Sequence, residues 1–499
     1  MPLFQSPPSH LVLALVSAAA FAPTLLACHR DTGSAQLTSG ATSASADATM
    51  QAPIPDADIA RAIHRHLQED TALRSEHVQV SVAQGICTLS GSVGNLLAKE
   101  RALRVAETLK GVRSVIDQIG VTPIARTDEQ LRADVTHELQ QDVATREHVI
   151  GVVAKDGTVT LTGAAGSWPE KTLFAQVAKT VKGVKGIDNQ VVIHYEIVPS
   201  EAEISADVKH RLANDVSLDG EVIGVTVTGH TVHLTGVVGS VAEKSRARSD
   251  GWMVGVDSVD DSSVVVDWRA RDDERYVVDH ALRSDDEVGK AVRDAFRFDP
   301  RLRTLEPHVT VTNGAVVLSG AVDSSQARRA AKLDATDTVG VWEVRDRMVM
   351  QAIAKPTDAD VERGVKRALS RDLLLPNSAG IHVSSAKGKV VLAGEITSGF
   401  ERFDALEDAT SVAGVAEIVD ELKIKRSPPD IKSDIDNRLY WDATVQRDRV
   451  AVVVAPDGVA TLRGTLDSWI EIKAALNDAV LGGAPRVVNA LELKRRSAK

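Results

Sequence analysis

Six times along the chain, a short run alternates β-branched or leucine residues with small polar ones and ends on a glycine: residues 84–91, 155–163, 229–236, 313–320, 387–394 and 457–464. A period of two marks a half-buried strand, and the closing glycine marks a place where the backbone takes a conformation other residues avoid. The glycines Gly91, Gly163, Gly236, Gly320, Gly394 and Gly464 stand 72, 73, 84, 74 and 70 residues apart, so a single unit has been copied six times. Upstream of each glycine, apolar residues recur at i, i+4 and i+8: Ile59/Ile63/Leu67, Leu131/Val135/Leu139, Ile204/Val208/Leu212, Val288/Val292/Phe296, Val361/Val365/Leu369 and Ile431/Ile435/Leu439. That spacing predicts a helix buried along one stripe.

An aspartate follows every such helix: Asp70, Asp142, Asp215, Asp299, Asp372 and Asp442. Six repetitions without a partner His, Cys or acid at fixed spacing predict a turn-forming role rather than catalysis. A short strand comes next, such as residues 78–82 or 309–311, and pairs with the glycine-ended strand as a hairpin. A second helix follows, with small residues four apart at Ala102/Ala106, Ala247/Gly251, Ala331/Ala335, Ala405/Ala409 and Ala475/Ala479, and Phe174/Ala178 as the exception. Small side chains on one face let a helix lie close to a sheet. A further glycine, Gly111, Gly183, Gly255, Gly340, Gly414 or Gly483, is placed to end that helix. Asp117, Asn189, Asp261, Asp346, Asp420 or Asn489 then leads into a third strand.

The predicted fold class is α+β: a tandem array of six small α-β-β-α-β modules, each with two helices packed on a three-stranded sheet. The boundaries fall at residues 54–125, 126–199, 200–268, 284–355, 356–426 and 427–499. A charged linker at 269–283 splits the array three plus three and is expected to be its softest joint.

The first helix, the "V-T-L-x-G" strand, the second helix and the "G-V-x-x-V-x-(D/N)-x-(L/V)-x-V" ending resemble the BON domain, named for bacterial osmotic-stress and nodulation proteins. The resemblance covers residues 55–494 almost completely. It implies a non-enzymatic module of the cell envelope that contacts phospholipid membranes.

Composition narrows the picture. Hydrophobic residues make up 43% and charged residues 25%, as in globular proteins, while aromatics supply only 3%, so the cores must be built from Val, Leu, Ile and Ala. The net charge of −11 is spread along the chain and argues against a nucleic-acid partner. Two cysteines, Cys28 and Cys87, are too few for a disulfide framework or a structural zinc site. His64 and His66, two apart on a helix, face different ways and do not share a metal. No phosphate loop, catalytic constellation, cofactor site or small-molecule site is legible, and the expectation is that the protein is not an enzyme.

Residues 11–26 form an apolar run of signal-peptide length, and Leu25-Leu26-Ala27-Cys28 resembles the lipobox of bacterial lipoproteins. That resemblance implies acylation of Cys28, and His29 in place of an aspartate implies the outer membrane. The alternative is an ordinary secretory signal cut elsewhere. Residues 29–53, rich in Ser, Thr, Ala and Gly, suit a flexible tether. The expected location is therefore periplasmic, with a lipid anchor in the outer membrane, or else soluble and secreted.

Lipid contact is expected at basic residues on the second helices of the first two modules: Arg101, Arg104 and Lys110, and Lys171, Lys179 and Lys182 beside Trp168. Trp168 and Trp469 share a position at the start of their second helices and Phe400 lies near the same place in the fifth module, where an aromatic either caps the core or lies exposed as a membrane-interface or protein contact. The third module, with 5 basic and 12 acidic residues, is expected to avoid anionic lipid. The expected partner is membrane phospholipid. The rival reading is a scaffold whose modules bind other envelope proteins or a cell-wall polymer.

Overall fold

The computed structural model describes residues 53–142, 144–195, 197–218, 223–269, 283–302, 307–350, 356–412, 414–424, 426–466 and 469–493. The chain divides into two units, residues 1–50 and 51–499. The first lies outside the described residues, and with it the signal segment, Cys28 and most of the tether. Most of the charged linker at 269–283 also lies outside them.

Each module runs helix, hairpin, helix, strand, and the strand ending on the closing glycine is the centre of its sheet. In the first module, His77–Ala83 pairs antiparallel with Ile86–Val93, which pairs in parallel with Ser114–Val121. The apolar stripe of the first helix, Asp56–Glu69, is fully buried against this sheet, with Ile59, Ile63 and Leu67 at most 2% exposed. The small residues Ala98, Ala102 and Ala106 of the second helix, Leu96–Glu107, are wholly buried, which lets it lie close on the same sheet face. Each module keeps its own core of this composition.

Local polar groups fix the register. The first helices of modules two to five open with capping boxes, as at Thr127/Gln130 and Ser284/Glu287. An acid just after the cap also reaches the hairpin turn. Asp56 accepts from the amides of Gln84 and Gly85 at 2.8 and 2.9 Å, and Asp285 and Asp358 repeat this at Asn313-Gly314 and Lys387-Gly388. Both central residues of these turns have positive φ, the two-residue hairpin that matches strand twist. At Gly91, φ is 105° and a Cβ would stand 1.8 Å from the His77 carbonyl oxygen, so the hairpin strand can cross there only over a glycine.

The six aspartates after the first helices form turns, each accepting from the amide two residues on, as in Asp70 to Ala72 at 2.9 Å and Asp372 to Leu374 at 2.8 Å. The acid of the third strand is held by a basic residue of the second helix: Lys99 to Asp117 at 2.9 Å, Arg328 to Asp346 at 2.7 Å and Arg402 to Asp420 at 2.5 Å.

The modules are not beads on a string. Residues 51–499 form one body, in which modules distant in sequence lie side by side. The repeat spacing suggested independent units with a soft joint after the third; the surfaces described next bind the units together.

Candidate functional site: the junctions between modules

Modules one and six join along their first helices. Arg65 donates to Asp434 at 2.9 Å, Arg438 to Glu69 at 2.5 Å, and Asn437 meets His66 Nε2 at 3.2 Å. Burial, followed by Arg438 and Arg65, holds the His66 imidazole well below its usual pKa, so it stays neutral. Beside these helices two backbones pair antiparallel: the Lys110 amide donates to the Trp441 carbonyl at 2.9 Å, and Ala443 to Thr108 at 3.1 Å. Modules three and four repeat the arrangement, with Val216 donating to Asp337 and Val339 to Asn214, both at 2.8 Å, while Arg211 lies 5.3 Å over the Phe298 ring.

Between modules one and five, Arg101 makes a two-pronged contact with Asp404 at 2.8 and 2.6 Å and stands 3.6 Å from Asp70. The Phe400 ring is packed between Arg101 at 5.7 Å and Arg438 at 5.1 Å. Leu374 of module five completes the core of module one. At the second helices of modules five and six, a Cβ at Gly399 would stand 2.1 Å from the Val480 carbonyl oxygen, so glycine permits that close approach.

Module two is held by Lys179 to Glu100 of module one, by Lys182 Nζ to the Ser370 carbonyl at 3.2 Å, and by Arg371 of module five to Glu138 at 2.9 Å. Trp168 stacks on Trp252 of module three, with centroids 5.2 Å apart and planes 7° from parallel. These two rings line a cleft of about 1490 Å³ between modules two, three and four, which also carries Arg211, Asp250, Phe298 and Asp334.

The residues expected to meet lipid are therefore placed as follows. Arg101, Lys110, Lys179 and Lys182 make bonds to other modules, with Lys110 Nζ reaching the Val445 carbonyl at 3.1 Å. Trp168 and Phe400 pack at junctions. Arg104 is exposed and Lys171 half-buried. The side chain of Trp469 lies outside the described residues.

One further position repeats: one residue ahead of the second small residue of the second helix stands Asp250, Asp334, Asp408 or Asp478 in modules three to six, and Val105 or Val177 in modules one and two. Each of these acids faces the turn aspartate of its own module.

Among the described residues no group of three or more His, Cys, Asp or Glu is placed to hold a metal, and no helix is long and apolar enough to cross a membrane. Cys87 is buried and its thiol is pushed up to about 11, which makes it inert packing.

Residues 55–123, 127–194, 200–266, 284–352, 357–426 and 429–495 each match the BON domain. The chain belongs to the BON-domain family. It is similar to osmotically-inducible protein Y of Escherichia coli (strain K12), 28% identical over 147 residues, covering 27% of this chain and 71% of that one. Among solved structures, it is similar to CdsD, a structural protein of the type III secretion system of Chlamydia trachomatis, at 18% identity and a TM-score of 0.12, over 44% of this chain and 98% of that one. A second structure, the C-terminal domain of CdsD, aligns at 17% identity and the same TM-score, over 43% of this chain and all of that one.

Proposed function

We propose that this BON protein is a non-enzymatic component of the cell envelope, exported and held at the outer membrane through Cys28, whose six modules act as one body on phospholipid surfaces. Its likeness to an osmotically inducible protein supports a role in osmotic or envelope stress. The observation that carries the lipid reading is the surface of module two. Val149, Val153, Val192, Ile197 and Val198 are more than half exposed there, on and beside the outward sheet face, in the same module as exposed Lys155, Lys182 and Lys185. Shallow apolar side chains backed by lysines hold a folded domain at an interface without insertion. Lys171 and Arg104 add charge to modules two and one, while Arg101, Lys110 and Lys179 act indirectly by fixing the modules. A scaffold that binds envelope proteins or a cell-wall polymer is the second reading, favoured by how much of each module's surface already serves protein contact.

Flotation of the chain from residue 29 onward with anionic and zwitterionic vesicles tests this. Binding to anionic vesicles, weakened by salt and abolished by Val149→Asp with Val153→Asp, is expected. Failure to float, with retention on isolated cell wall, would favour the scaffold.

A further inference from the structure

Modules three to six each set a second carboxyl against the turn aspartate: Asp215/Asp250, Asp299/Asp334, Asp372/Asp408 and Asp442/Asp478. Modules one and two build the same helix with Val105 and Val177, so the second carboxyl is dispensable for folding the unit. Asp250 is 2% and Asp478 7% exposed, and Oδ2 of Asp250, Asp334, Asp408 and Asp478 has no hydrogen-bond partner. A buried carboxylate oxygen without a donor is costly, whereas a carboxyl that keeps its proton removes the charge and supplies a donor to its neighbour. The carboxyls of Asp372 and Asp408 face each other in one such pair.

We infer that the six-module body is held together by protons: each of the four carboxyl pairs binds one, and its release as the medium turns alkaline loosens the junction around it. Each pair sits beside at least one charge that makes or belongs to a contact with another module. Asp250 faces Asp215, Arg211 and Arg246, and Arg246 also reaches Asp337 of module four. Asp334 faces Asp299, Arg301 and Asp337, with Arg211 from module three. Asp408 faces Asp372, Asp404 and Glu407, with Arg329 from module four, and Asp372 faces Arg101 from module one. Asp478 faces Asp442 and Arg438, with Lys110 and Glu69 from module one. An extra negative charge in any pair therefore acts directly on an intermodular contact.

The direction agrees. Burial raises Asp250 to about 6, against the pull of Arg211, and raises Asp408 to about 8, where Asp372 and Asp404 push the same way. Burial carries Asp334 and Asp478 well above the ordinary carboxyl range. A carboxyl raised in the folded state binds more protons there than in the unfolded chain, so its stabilisation is fully present below its unfolded value and is lost as pH rises through the folded one. For Asp250 and Asp408 together that loss runs from about pH 6 to about pH 8.

The test follows unfolding of the whole chain by circular dichroism from pH 6 to 9, with the near-ultraviolet signal of the Trp168–Trp252 stack, two residues from Asp250, as a reporter of the junction. The unfolding midpoint should fall steadily and the stack signal should fade before the helices melt. Refolding at pH 7 in weak buffer should take up protons, close to one at the Asp372/Asp408 pair and little at the Asp215/Asp250 pair. Replacing Asp250, Asp334, Asp408 and Asp478 together by Asn should flatten the midpoint against pH and abolish the uptake. If that variant does not fold, Asp478→Val, which copies module one, and Asp408→Asn singly should each remove part of the slope. A wild-type midpoint that is level or rises from pH 6 to 9, or single variants with an unchanged slope, would overturn the inference.

Discussion

Replacing Arg101 by leucine withdraws a buried guanidinium from between Asp70 of the first module and Asp404 of the fifth. Its side chain is 12% exposed, that of Asp404 7% and that of Asp70 0%, so solvent cannot take its place. Removing one partner of a buried ion pair costs about 3–5 kcal/mol, because the partner's charge is left without compensation. Loss of the contact with Phe400, 5.7 Å away, adds about 0.5–1 kcal/mol. Urea unfolding of the whole chain at pH 7.5 measures the sum, and a double-mutant cycle with Asp404→Asn isolates the pair. The coupling energy should be about 2–3 kcal/mol in favour of the native pair. The defect should shrink as pH falls, since Asp70, whose carboxyl is raised chiefly by burial, then takes up a proton and no longer needs a counter-ion. A loss under about 1 kcal/mol, or a coupling below about 0.5 kcal/mol, would show that Arg101 is solvated in solution and that the junction is not as described.

Gly91→Ala should cost about 3 kcal/mol in the same unfolding assay, because it forces a side chain into a left-handed backbone and against the His77 carbonyl. Ser284→Ala removes one half of a capping box and should cost about 1 kcal/mol, with Ser284→Thr or Ser284→Asp recovering most of it. Cys28→Ser should move the protein from the detergent phase to the aqueous phase in phase partition; a wild-type chain already in the aqueous phase would instead favour a signal cut elsewhere.

The sequence by itself determined the unit. Periodicity at Ile59/Ile63/Leu67, and alternation ending at Gly91 with its positive φ, are consequences of residues a few positions apart, and they read the same in all six copies. Even the turn role of Asp70 and its five counterparts followed from their place after a helix. Only the tertiary structure decided what the outer surfaces of the units do. Arg101 and Asp404 are 303 residues apart and Arg65 and Asp434 are 369 apart, and no periodicity links them. A basic residue on a helix face looks the same in sequence whether water, a lipid headgroup or a distant carboxylate neutralises it, so Arg101 and Lys179, which pair with Asp404 and Glu100, read as an exposed basic surface. The carboxyl pairs escaped notice for the same reason. An aspartate at position 250 or 478 reads in sequence as an ordinary solvated acid, and its burial in the folded chain is what changes its chemistry.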